Sequence, residues 1–162
     1  ATPLQIAVAT SVLASRGELR APRLLAAVGG EPVEAPLLGK MEDVPESQWD
    51  AIQHSMEEVI YDVRGTGRSL RKGLQYRMAG KTGTAQVISI AAGEEYDSES
   101  LEKRKRDHAL FVAYAPSEDP EIAVAVIIEN GESGGGVAGP VARAVMDAYL
   151  LNSPDVASGE QQ

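Results

Sequence analysis

The sequence contains no cysteine among its 162 residues. That absence excludes disulfide staples, thiol catalysis and cysteine-ligated zinc, and it leaves the compartment open. Cationic charge is in short supply. Lys and Arg number 15 against 24 Asp and Glu, a formal net charge of −9 with a pI of about 4.7. Such a balance argues against a nucleic-acid binder, which needs a basic surface for the phosphate backbone. No apolar run reaches the roughly 18 residues that a membrane-spanning helix needs, and no stretch reads as a signal peptide. Apolar content is not lacking. Hydrophobic residues make up 43% of the chain, enough for one domain with a core rather than a disordered polymer. The chain opens on Ala1-Thr2-Pro3, without an initiator Met and already at a helix start, which predicts a processed piece or fragment of a longer protein.

Periodicity and punctuation give an element order. Thr2 suits an N-cap and Pro3 a first helical turn; Leu4, Ile6, Val8, Val12 and Leu13 form a broad apolar face, and Arg16-Gly17 signals a C-cap. The prediction is a mostly buried helix over residues 3–16. Residues 23–28 form a short apolar run that suits a strand. Residues 29–45, with three prolines and three glycines, read as a loop. Trp49, Ile52, Met56, Val59 and Ile60 have helical spacing, so a second helix is predicted over residues 48–61. A glycine-rich basic turn over residues 64–72 follows. Residues 76–90 change to strand character, with β-branched Val87 and Ile90 and small residues that suit close approach of another backbone. Residues 93–107 are charged and read as an exposed connection. Residues 108–115 and 122–129 are predicted strands; the short turn between them makes an antiparallel hairpin, with Val112, Val124 and Val126 as core candidates. Four glycines in residues 131–136 read as a flexible connection. Gly139-Pro140 opens a third helix to about residue 151. Residues 152–162 are predicted to be a disordered tail.

The chemistry centres on "AGKTGTAQV", residues 79–87. Gly80-Lys81-Thr82 resembles the end of a phosphate-binding loop, but that loop needs a glycine at position 75, which is Gln, and a helix afterwards. Here the continuation has strand character, and the phosphate reading fails on both counts.

The flanks carry more. "GKTGTAQV", "RDHALFVAYAP", "IAVAVIIENG" and a Gly-Pro opening the last helix resemble the C-terminal part of class B penicillin-binding proteins, in particular their cell-elongation peptidoglycan D,D-transpeptidases. "ATPLQIAVATSVLASRG" and "MEEVIYDVRGTG" resemble earlier helices of the same family, so the likeness runs from residue 1 to about 151. One departure is Gly67, where the family pattern has Ala after Gly-Thr.

The resemblance implies an α/β fold of the serine transpeptidase and β-lactamase type, an antiparallel sheet flanked by helices, of which residues 1–151 are the C-terminal part. It implies acyl transfer: a serine attacks the D-Ala-D-Ala carbonyl of a peptidoglycan stem peptide, and a second stem's amine resolves the acyl-enzyme. Lys81 and Thr84 are the implied catalytic residues, and Thr82, Gly83 and Thr84 the substrate-binding ones. The substrate would lie along a strand edge with its carboxylate near the Thr82 and Thr84 hydroxyls and the Lys81 charge. The Thr84 backbone N–H would supply half of an oxyanion hole. Strict alternation puts Lys81 and Thr84 on opposite faces, so the cleft follows the strand edge or the strand twists there. Neither a cofactor nor a metal is implied. The implied partners are peptidoglycan stem peptides, β-lactam antibiotics, the upstream half of the same protein and a membrane glycosyltransferase of the elongation machinery, with no nucleic acid. The implied place is the periplasmic face of the inner membrane. Two rivals remain: a D,D-carboxypeptidase or β-lactamase, and a non-catalytic sensor or scaffold that binds β-lactams or cell-wall peptides.

The family order places Ser-x-x-Lys and a middle motif before Lys-Thr-Gly. Ser69-Leu70-Arg71-Lys72 has the form but not the setting: it stands in a basic, solvated turn between Gly67 and Gly73, whereas the true motif sits at a helix start with its lysine buried and desolvated beside the serine. Ser117-Glu118-Asp119 sits in a turn after the lysine strand, and Asp107-His108 is a lone pair at a strand entry; both read as structural. The nucleophile is therefore expected upstream, outside this sequence.

Overall fold

The computed structural model describes residues 1–87 and 102–151. Helix α1 (Pro3–Ala14) starts where the sequence places it: Thr2 and Gln5 form a reciprocal capping box, with the Gln5 N–H donating to Thr2 Oγ1 and the Thr2 N–H to Gln5 Oε1. It ends at Arg16 and Gly17, both at positive φ, where the Gly17 N–H returns to the Val12 carbonyl at 2.8 Å. The expectation of a mostly buried helix is corrected. Only Thr10 is buried, and Leu4 is 60% exposed. The apolar residues encircle more of α1 than the one sheet face it rests on can cover.

Residues 18–40 also differ from expectation. Strand β1 (Glu18–Arg20) pairs antiparallel with β4 (Leu37–Lys40), and β2 (Ala27–Val28) with β3 (Glu31–Pro32). The predicted strand over residues 23–28 shrinks to its last two residues, and the predicted loop contains two short strands. Backbone pairing, not side-chain pattern, holds these pieces, since most of their side chains are exposed. Helix α2 (Glu46–Tyr61) buries Trp49, Met56 and Ile60, a stripe at helical spacing.

The main sheet is antiparallel, in the order β5 (Ala79–Ala85), β6 (His108–Ala115) and β7 (Ile122–Ile128). The predicted hairpin is β6–β7, and β5 lies beside β6. The strand predicted over residues 76–90 is corrected to β5: residues 76–78 and 86–87 are not strand. Residues 88–90, most of the connection over residues 93–107, and the tail over residues 152–162 lie outside the described residues. On one face of the sheet Phe111, Ala113 and Val124 meet Ala142, Met146 and Leu150 of helix α3 (Gly139–Leu150). On the other, Ala79 and Tyr114 pack with Met56 of α2, against Leu13 of α1. Of the three core candidates, Val124 is buried and Val126 packs against the α3 cluster, but Val112 does not belong there. Val112 pairs with Ala125 and points to the α1/α2 face, because β6 is apolar on both faces and its sequence carries no cue to parity.

Candidate functional site around the Lys81 strand

Residues 79–85 form β5, an edge strand among the described residues. Small residues make its position possible. A methyl group on Gly80 would stand 2.9 Å from the Phe111 ring, and one on Gly83 would stand 3.2 Å from Leu110 Cβ. Gly83 therefore has a packing reason of its own. The register pairs Lys81 with Val112, Thr82 with Phe111 and Thr84 with Ala109. Lys81 thus faces α1 and α2, while Thr82 and Thr84 share the face that α3 covers farther along.

Lys81 is exposed, and its ammonium donates to the Thr82 carbonyl at 2.7 Å. Its stem separates two open grooves. One, of about 370 Å³, runs past Asp62, Arg64 and Thr66. The other, of about 480 Å³, is lined by Leu13, Ile52, Met56 and Val112 and is almost wholly apolar. Thr84 is exposed and Thr82 half-buried.

Two glycine-bearing turns converge on Thr82. The chain leaving α2 folds back on that helix's last turn, with the Gly67 N–H donating to the Val59 carbonyl at 2.8 Å. A side chain at Gly65 would strike the Val59 and Glu58 carbonyls. This tight return delivers Thr66, whose Oγ1 lies 3.0 Å from Thr82 Oγ1. From the other side comes a π-helical turn, Gly134–Ala138. A methyl on Gly134 would stand 2.5 Å from the Leu110 carbonyl oxygen and 2.9 Å from that of Gly83, and one on Gly135 would strike the Thr66 carbonyl. The prediction of a flexible connection over residues 131–136 is thereby corrected: Gly134 and Gly135 are buried, and glycine serves close backbone approach there, not freedom. Sequence reasoning missed Thr66 and this turn as neighbours of Thr82. The available signal was the glycine density on both sides of the lysine strand.

The rejected motifs stand apart from the lysine strand's Thr82 and Thr84. Ser69 and Lys72 are exposed at a 3-10 turn, Arg68–Arg71. Ser117 is buried and donates to Glu57 Oε1 at 2.6 Å. His108 Nδ1 accepts from the Asn130 N–H at 3.0 Å, and Asp107 Oδ1 accepts from the Val87 N–H at 3.3 Å. Glu57 also accepts from Arg77, which stacks over the Tyr61 ring. Burial pushes the Glu57 carboxyl up, but its hydrogen bonds from Arg77, Ser117 and Gln53 outweigh burial and hold it below the usual carboxylate range.

Known proteins share this architecture. The chain is 44% identical over 154 residues to the peptidoglycan D,D-transpeptidase MrdA of Haemophilus influenzae, covering 93% of this chain and 24% of the relative. The Acinetobacter baumannii MrdA is 45% identical over 155 residues, covering 93% of this chain and 22% of the relative. The chain thus spans about a quarter of the length of these relatives. The crystal structure of Pseudomonas aeruginosa PBP2 in complex with WCK 5153 superposes with a TM-score of 0.76 at 41% identity, over 95% of this chain and 31% of that one. Residues 1–147 match the penicillin binding protein transpeptidase domain, and the chain belongs to that family.

Proposed function

We propose that the complete protein is a peptidoglycan D,D-transpeptidase that works by serine acyl transfer on D-Ala-D-Ala stem peptides, is acylated by β-lactams, and serves cell-wall synthesis during elongation. The observation that carries this reading is an edge strand bearing Lys81, Thr82 and Thr84 in a chain of the transpeptidase family. An edge strand has backbone N–H and C=O groups to offer an extended peptide. Thr82 and Thr84, on one face, donate to the substrate's terminal carboxylate. Lys81 adds positive charge; a hydrogen bond to a charged group is worth about 1.5–3 kcal/mol. The Thr84 N–H stabilises the oxyanion of the tetrahedral intermediate, a contribution of on the order of 10²–10³ in rate. Residues 1–151 form the C-terminal part of the catalytic domain, ahead of the tail over residues 152–162. The serine nucleophile, its lysine and the middle motif lie in a part of the protein outside this sequence. The protein acts at the periplasmic face of the inner membrane, beside a membrane glycosyltransferase of the elongation machinery.

Lys81→Ala in the complete protein tests the assignment. Acylation by benzylpenicillin is expected to slow by on the order of 10²-fold, with the melting temperature within a few degrees of wild type because Lys81 is exposed. Unchanged acylation would remove Lys81 from the site. The rival sensor or scaffold reading expects binding without turnover of a stem-peptide substrate. The carboxypeptidase and β-lactamase readings expect water, not an amine, to resolve the acyl-enzyme.

A further inference from the structure

The Thr66–Thr82 contact suggests a role that β5 alone does not contain. Thr82 Oγ1 lies 3.0 Å from Thr66 Oγ1, and Gly135 packs beside Thr82 Cγ2, so close that an added methyl would come to 3.4 Å from it. A β-branched side chain has few χ1 rotamers, and the Thr66 contact favours the one observed. The partner's backbone is held in place, with the Gly67 N–H bound to the Val59 carbonyl on one side and Gly135 packed on the Thr66 carbonyl on the other, while its side chain is exposed.

Either hydroxyl of the pair can donate. A carboxylate breaks that symmetry, because it only accepts. For Thr82 to donate to a carboxylate, its single proton must point there, and the Thr66 proton must then point to Thr82. We infer that Thr66 is a positioning residue: it donates to Thr82 Oγ1 and so directs the Thr82 proton to the carboxylate of the stem peptide or β-lactam. The inference rests on the proposed role of β5 in carboxylate binding. A hydroxyl is required at position 66, whereas the threonine methyl is not, so Ser should serve there and Val should not.

The test uses the complete protein and two probes, benzylpenicillin and its methyl ester, which lacks the carboxylate. Expected for Thr66→Val is a roughly ten-fold fall in the second-order acylation rate with the acid and no fall with the ester, the size of effect that loss of one orienting hydrogen bond produces. Thr66→Ser should stay within about two-fold of wild type on both probes. The inference is overturned if Thr66→Val acylates like wild type, if it slows equally on acid and ester, or if Thr66→Ser falls as far as Thr66→Val. Thr82→Val and Lys81→Ala, run beside it, separate the two levels. If neither slows the acid, the carboxylate reading of β5 itself is wrong. If they do and Thr66→Val does not, Thr66 alone is misassigned.

Discussion

At Gly135 a single methyl group decides whether two turns can meet. The backbone there touches the Thr66 carbonyl, and no flexible side chain stands between them to yield. Gly135→Ala must therefore move one turn away from the other, and overpacking of this kind costs about 1–3 kcal/mol. In the complete protein, a fall in melting temperature of about 2–4 °C per kcal/mol is expected. Gly136→Ala is the comparison. Its nearest neighbour is the Ser133 hydroxyl, a side-chain atom whose rotation gives up one capping hydrogen bond from the Gly136 N–H but moves no backbone, so the loss should be smaller. Equal melting temperatures for Gly135→Ala and wild type would mean that the two turns do not meet as described. Glycine was readable in the sequence only as an ambiguity, since it permits unusual φ and equally permits close approach. A run of four in six residues suggested freedom, and the fold uses the second property.

At the scale of elements, α2 and β6 show what sequence can and cannot reveal. Helix α2 was legible because Trp49, Met56 and Ile60 repeat at helical spacing against polar neighbours. Strand β6 was legible as a strand but not in orientation, since Phe111 and Val112 are equally apolar and only the burial of both faces assigns them. The short strands β1 to β4 were not legible, because two to four residues interrupted by proline and glycine give no period to read. The tie between α2 and the start of β5 runs through Glu57, which receives hydrogen bonds from Arg77 and Ser117. No window of sequence joins those three residues. Their carboxylate has a pH signature. Its folded pKa lies below that of a free glutamate, about 4.5, so the stabilisation is fully present above that pH and is lost as pH falls through the folded value. Glu57→Gln carries no titrating group. The difference in melting temperature between wild type and Glu57→Gln should be largest near neutrality and narrow below pH 4.5. A gap that stays constant between about pH 7 and about pH 3 would show that the ionised Glu57 contributes nothing.

Across the whole molecule, the candidate site is a meeting of parts far apart in sequence: the return after α2, the edge strand, and the glycine turn before α3. The lysine strand was legible because its motif is local, and the family resemblance followed from four such local stretches. Thr66 was not, because what makes it part of the site is the fold's placement of residue 66 against residue 82. The remaining question at this scale is which part of the chemistry these 162 residues can perform alone. An acyl-enzyme needs a serine beside a base. Ser69 and Lys72 have the sequence spacing, yet both are exposed at a turn with Arg68 and Arg71, in open solvent and not in the buried setting that turns a lysine into a base for its serine. Ser117 is buried and already donates to Glu57, a carboxylate held ionised by Arg77, so its hydroxyl is committed to holding a turn. Neither is an activated nucleophile. The 162-residue chain, incubated with excess benzylpenicillin, is therefore expected to keep its mass, whereas the complete protein under the same conditions should gain one penicilloyl group. Intact-mass spectrometry with peptide mapping reads both. A stoichiometric adduct on Ser69 in the isolated chain would make that turn the active site, and would overturn the placement of the nucleophile outside this sequence.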